Sequence, residues 1–163
     1  MEVTRLRVQL VVFVILAGAV PSAAQQSAAT RHVLFMCPHG AAKSVLASAY
    51  FRRAAKERGL NVEVVSAGTD PDARVSAAVA SHLEKNGYEL PVSTPRRVTA
   101  ADIRKADIVV SIGCDMRDLP SPTGTLLKWD DVPSTSEDFS GADATIRQRV
   151  LELVDELVRK HQP

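Results

Sequence analysis

Residues 32–58 read H-V-L-F-M-C-P-H-G-A-A-K-S-V-L-A-S-A-Y-F-R-R-A-A-K-E-R, and three regimes follow one another there without a gap. His32-Val33-Leu34-Phe35-Met36 is apolar, too short for a helix and halted by Cys37-Pro38, which predicts a buried strand. From Ser44 to Arg58 the apolar Val45, Leu46, Ala49, Tyr50 and Ala54 fall on one stripe at helical spacing, with Arg52, Arg53, Lys56 and Glu57 elsewhere. Gly59 is the stop, so a helix is expected. Between strand and helix lies Cys37 to Ser44, C-P-H-G-A-A-K-S.

That order has a chemical consequence. At a strand-to-helix junction the first backbone amides point outward unsatisfied, and the helix dipole adds partial positive charge, so an oxyanion is held there. Cys37 sits at that place. Pro38 opens the loop, and the small Gly40, Ala41 and Ala42 let it curl, so the amides from His39 to Ser44 are expected to converge on one point. Such a field favours a thiolate, the form that attacks. Ser44 is placed to offer its hydroxyl to the Cys37 sulfur. Lys43 brings a positive charge to a bound anion, as a point charge rather than a planar fork. His39 reads equally as lining the mouth or as pointing into solvent.

Outward from this segment the strand-helix alternation continues. Val62 to Ala67 is β-rich and ends at Gly68. Val75, Val79 and Leu83 then recur every four residues until Asn86-Gly87. Thr99-x-x-Asp102 predicts a capped short helix over Ala100 to Lys105, and Asp107 to Ile112 a third strand ended by Gly113. Leu126-Leu127-Lys128-Trp129 reads as a fourth strand. A polar loop, Asp130 to Phe139, leads to a final helix with Ser140 as N-cap, an apolar stripe of Ile146, Val150, Leu153, Val154, Leu157 and Val158, and Arg159, Lys160 and His161 at its end. Alternation of this kind implies a parallel sheet covered on both faces.

At the amino end, Arg5 and Arg7 precede an apolar run, Leu10 to Val20, and then Pro21-Ser22-Ala23-Ala24, the pattern of a secretory signal peptide over residues 1–24 with cleavage after Ala24. The run is well short of the ~20 residues needed to cross a bilayer. Residues 25–31 read as a flexible leader and 32–163 as one α/β domain in a secreted or periplasmic protein. A composition of 45% hydrophobic and 24% charged residues is that of an ordinary soluble globule. Losing Glu2, Arg5 and Arg7 takes the 20 basic and 19 acidic residues to 18 of each, which leaves no nucleic-acid footprint. Cys37 and Cys114 are too few for a disulfide scaffold, and with four scattered histidines there is no zinc-type spacing, so neither metal nor cofactor is expected. Cys114 reads either as a small buried hydrophobe or as a redox partner of Cys37. Asp70 and Asp72 flank Pro71 as turn residues, Trp129 reads as packing, and His32, His82 and His161 carry no functional signal.

The segment His32 to Arg53, with Cys37 and Ser44, resembles the low-molecular-weight protein tyrosine phosphatases and the related thioredoxin-coupled arsenate reductases, whose signature is a strand, C-x5-R-S and a helix. The resemblance extends through Ser66-Ala67-Gly68-Thr69 and Ala106 to Val110 to the acidic loop before the last helix. It implies a three-layer α/β sandwich with a four-stranded parallel sheet, the site at the carboxyl ends of the strands. It also implies a Cys37 nucleophile, oxyanion-binding residues Pro38 to Ser44, and a proton-donating aspartate from the late loop, Asp131 before Asp130. Two positions depart from the signature: Lys43 replaces the arginine and Gly40 the loop asparagine. Losing one preorganised donor costs roughly 3 kcal/mol of transition-state stabilisation, about a hundredfold in rate. The leading expectation is an exported cysteine phosphatase acting on phosphate esters of the phosphotyrosine type. The alternatives are an arsenate reductase working through Cys37 and Cys114 with an external thiol or thioredoxin-like reductant, and a non-catalytic oxyanion-binding module.

Overall fold

The structure, a computed structural model, describes residues 29–161. The segment read as a signal peptide, 1–24, lies outside the described residues, as do 25–28 of the leader. Eight elements follow in order: β1 Arg31–Cys37, α1 Lys43–Glu57, β2 Val62–Gly68, α2 Ala77–Lys85, α3 Ala100–Lys105, β3 Ile108–Ser111, β4 Thr125–Lys128 and α4 Phe139–His161. All four strands are parallel in the order β2-β1-β3-β4, as the alternation required.

Each face of the sheet is buried, and the pleat divides the side chains. Val33, Phe35 and Cys37 of β1 and Ile108 and Val110 of β3 face α1, α2 and α4, where they meet Val45, Phe51, Val79, Ile146 and Val150. Leu34 and Met36 of β1 and Val109 of β3 face the other way, onto Ile103 of α3 and Val98. Three layers result because both faces of the two inner strands are apolar.

Boundaries differ from expectation where caps are chemically degenerate. β1 runs on to Cys37, which pairs with Gly68, so the sulfur-bearing residue belongs to the sheet. Thr99 caps α3 as expected, in a reciprocal capping box with Asp102. Ser140 is not the cap of α4. The helix starts at Phe139, and the Asp138 carboxylate accepts the Gly141 amide at 2.8 Å, because an aspartate two positions earlier does the same chemistry.

Candidate active site

Cys37 is fixed by the β1–β2 ladder, and the loop after it is held from outside by its carbonyls. The Asp70 amide donates to Pro38 O (2.8 Å), the Asp72 amide to His39 O (3.0 Å) and the Ser76 amide to Ala41 O (2.9 Å). In a planar trans peptide the N–H points opposite to the C=O. Carbonyls drawn toward residues 70–76 therefore turn the amides of His39, Gly40 and Ala42 away from that segment. The Gly40 amide closes a turn onto Cys37 O at 3.3 Å, a correction to the expectation that it joins the convergent set. The amides of His39, Ala41, Ala42, Lys43 and Ser44 donate to no protein acceptor among the described residues. The N-cap of α1, Ala42, provides no side-chain cap, and no acidic residue sits in the first turn. The positive end of this helix is thus left for an anion.

Two glycines make the curl possible. Gly40 has φ +59°, and a Cβ there would lie 2.7 Å from Gly68 N. A Cβ on Gly68 would lie 2.6 Å from Gly40 N and 2.8 Å from the His39 carbonyl carbon. Ser66-Ala67-Gly68-Thr69 is accordingly the backing of the loop: Gly68 permits backbone contact, and the Thr69 hydroxyl donates to Pro38 O at 3.4 Å.

Around the sulfur the polar groups form a buried chain. Cys37 Sγ donates to Ser44 Oγ at 3.2 Å, and Ser66 Oγ donates to Ser44 Oγ at 3.1 Å, with both serines buried. When the sulfur is a thiolate, the Ser44 proton turns toward it while Ser66 continues to donate to Ser44, so that each proton of the chain has an acceptor. Lys43 Nζ donates to Val132 O at 3.4 Å and lies close over Gly113, next to Cys114. The half-buried Cys114 thiol is pushed up to about 11, first by burial and then by the neighbouring Cys37 charge, against the opposing pull of Ser111, the Ile112 amide and Lys43. The two cysteines are free thiols close enough to act on each other's charge.

Above the loop opens a cleft of about 390 Å³ lined by Cys37, Pro38, His39, Ala41, Ala42, Lys43, Asp72, Ser76, Ser134, Thr135 and Ser136. Most of the residues expected around an oxyanion line it, with Gly40 and Ser44 buried just behind. Neither Asp130 nor Asp131 does. The Asp131 carboxylate is held by Arg149 of α4 at 2.5 and 2.7 Å, and Asp130 is exposed. Trp129 is buried as expected, its ring 5.9 Å from that of Phe35. His32 pairs with Glu63 and His82 with Asp143, both away from the cleft. Asp72, expected only to shape a turn, reaches the cleft, where its carboxylate lies 3.4 Å from His39 Nδ1, while Asp70 pairs with Arg97. Ser66, Asp72 and the hydroxyl lip of residues 134–136 were missed as site residues. Only Ser66 carried a signal, as part of the S-A-G-T segment.

The structure thus places a cysteine at the carboxyl end of an inner parallel strand of an α/β sandwich, below the uncapped N-terminus of a helix and beside a cleft. The family described as low molecular weight phosphotyrosine protein phosphatase matches residues 32–123, more than half of the chain, and the chain belongs to that family. A protein of Halobacterium salinarum named "Putative arsenate reductase" is 30% identical over 127 residues, spanning 75% of this chain and 89% of that protein. The thioredoxin-dependent arsenate reductase Cg_ArsC1' of Corynebacterium glutamicum superposes with a TM-score of 0.69 at 28% identity, over 83% of this chain but only 65% of that longer one. A low molecular weight phosphotyrosine phosphatase of Vibrio cholerae shares the fold, with a TM-score of 0.72 at 22% identity over 81% of this chain and 99% of that one.

Proposed function

We propose that Cys37 is a nucleophile toward a small tetrahedral oxyanion, and that the reaction is thiol-coupled reduction of arsenate with Cys114 as the resolving thiol. The observation that carries this reading is a second free thiol, Cys114, near enough to Cys37 to feel its charge, with Lys43 lying over the adjacent Gly113. The Cys37 sulfur bonds to arsenic as an As–O bond breaks and the oxygen leaves as water. Cys114 thiolate then attacks the Cys37 sulfur, forming a disulfide, and the S–As bonding pair stays on arsenic, which departs as arsenite. An external dithiol reduces the disulfide. The names of the Halobacterium and Corynebacterium relatives support this reading, and the latter supports a thioredoxin-like reductant.

Hydrolysis of phosphate esters is the second reading, favoured by the family match and by the same loop. There Cys37 attacks phosphorus as the ester P–O bond breaks and the alcohol leaves, and water then cleaves the S–P bond to release phosphate and the thiol. Export after cleavage at Ala24 is part of the proposal, and an exported form whose sequence starts at Gln25 is its test.

Three proteins separate the readings: wild type, Cys37→Ser and Cys114→Ser. The expected result is arsenate-dependent dithiol consumption with arsenite release, abolished in both variants. Hydrolysis of p-nitrophenyl phosphate that survives in Cys114→Ser, with no arsenite formed, overturns reduction in favour of the phosphatase. Neither activity, with phosphate still bound, leaves an oxyanion-binding module.

A further inference from the structure

Both reactions of Cys37 need a proton at the departing oxygen, since hydroxide and alkoxide leave poorly. Among the described residues lining the cleft, the charged or titratable groups are Cys37, His39, Lys43 and Asp72. Cys37 is the attacking atom in the proposed function, on which this inference rests. Lys43 is engaged by the Val132 carbonyl. His39 and Asp72 remain: the Asp72 amide donates to His39 O at 3.0 Å, and the Asp72 carboxylate lies 3.4 Å from His39 Nδ1, within ion-pair range of a protonated ring. A carboxylate on Nδ1 orients the ring and leaves Nε2 free to exchange protons, and Nε2 of His39 has no partner among the described residues.

We infer that His39 is the proton carrier of this site, with Asp72 as its positioning residue, in place of the late-loop aspartate. In arsenate reduction the imidazolium gives its Nε2 proton to the oxygen leaving arsenic, water departs, and solvent reprotonates the ring. In ester hydrolysis the proton goes to the leaving alkoxide. The neutral imidazole then takes a proton from the water that attacks phosphorus as the S–P bond breaks.

The test combines an imidazole NMR titration with kinetics on wild type, His39→Asn, Asp72→Asn, Asp72→Glu and Asp131→Asn. The signal lost in His39→Asn is expected to move when inorganic phosphate is added, and its position in the free protein to change in Asp72→Asn, because the carboxylate lies 3.4 Å from Nδ1. Turnover of His39→Asn is expected to fall roughly 10²-fold, in kcat rather than KM. With ester substrates the loss is greater for phenyl phosphate than for p-nitrophenyl phosphate, whose leaving group needs less protonation. Asp72→Asn is expected to lower kcat rather than raise KM, and Asp72→Glu to restore part of the loss, a recovery that lost packing alone does not produce. An imidazole signal indifferent to phosphate overturns the inference, as does a loss confined to Asp131→Asn. Wild-type Cys37 that phosphate fails to protect from alkylation overturns the underlying reading as well, and so identifies which of the two has failed.

Discussion

Gly68→Ala tests how the loop is shaped, because Gly68 lies behind the chemistry and contributes no functional group. The new methyl meets Gly40 N at 2.6 Å and the His39 carbonyl carbon at 2.8 Å, where ordinary contact begins at 3.4 Å. All of these neighbours are backbone, so no side chain can swing aside and the loop moves by about 0.8 Å. Overpacking of this kind costs roughly 1–3 kcal/mol. At about 2–4 °C per kcal/mol for a chain of this size, the melting temperature drops by roughly 4–8 °C for a mid-range loss of 2 kcal/mol. A displacement approaching 1 Å costs about 10²-fold in a reaction that depends on aligned donors. The assay is thermal unfolding beside phosphate affinity, read as protection of Cys37 from alkylation. Gly59→Ala is the control, for Gly59 has φ +67° with nothing within 4 Å of an added Cβ, so it carries backbone strain without touching the loop. The expected outcome is lower stability in both variants and loss of phosphate protection in Gly68→Ala alone. A Gly68→Ala protein that binds phosphate as wild type does refutes the claim that this contact shapes the site.

Ser44→Ala removes the acceptor of the buried Ser66 hydroxyl and should cost about 1–3 kcal/mol, read by denaturant unfolding, while Ser44→Ala/Ser66→Ala should cost less than the sum of the single changes. Alkylation of Cys114, followed by peptide mass spectrometry, should accelerate roughly tenfold per pH unit from pH 8 to 10, since its thiol titrates at about 11. In Cys37→Ser that profile should move to lower pH, because the neighbouring negative charge that raises it is gone, and in Lys43→Met to higher pH, because a cation that lowers it is gone. An unmoved Cys114 profile in both variants contradicts the placement of the two thiols and the lysine at one site.

The fold was legible because β1 and α1 show opposite periodicities on either side of one loop, and the same alternation repeats along the chain. Cys37 and Ser44 were legible because the two groups that meet at the sulfur lie within eight residues of each other, and Lys43, which lines the same cleft, falls between them. Asp72 was not, because its approach to His39 depends on the β2–α2 connection folding back over the loop, and nothing local marks an exposed aspartate beside a proline for that task. The pairing of Asp131 was not legible for the complementary reason. The partner that draws it away, Arg149, lies on α4, where sequence spacing shows an ordinary solvated arginine.

The rate of Cys37 alkylation, resolved from that of Cys114 by peptide mass spectrometry and measured across a titration of phosphate and arsenate, bears most directly on the claim that this loop presents sulfur to an oxyanion. The account predicts that Cys37 reacts faster than Cys114 at neutral pH and that either anion suppresses its reaction saturably. A Cys37 that resists alkylation without anion, or reacts at the same rate at every anion concentration, contradicts it.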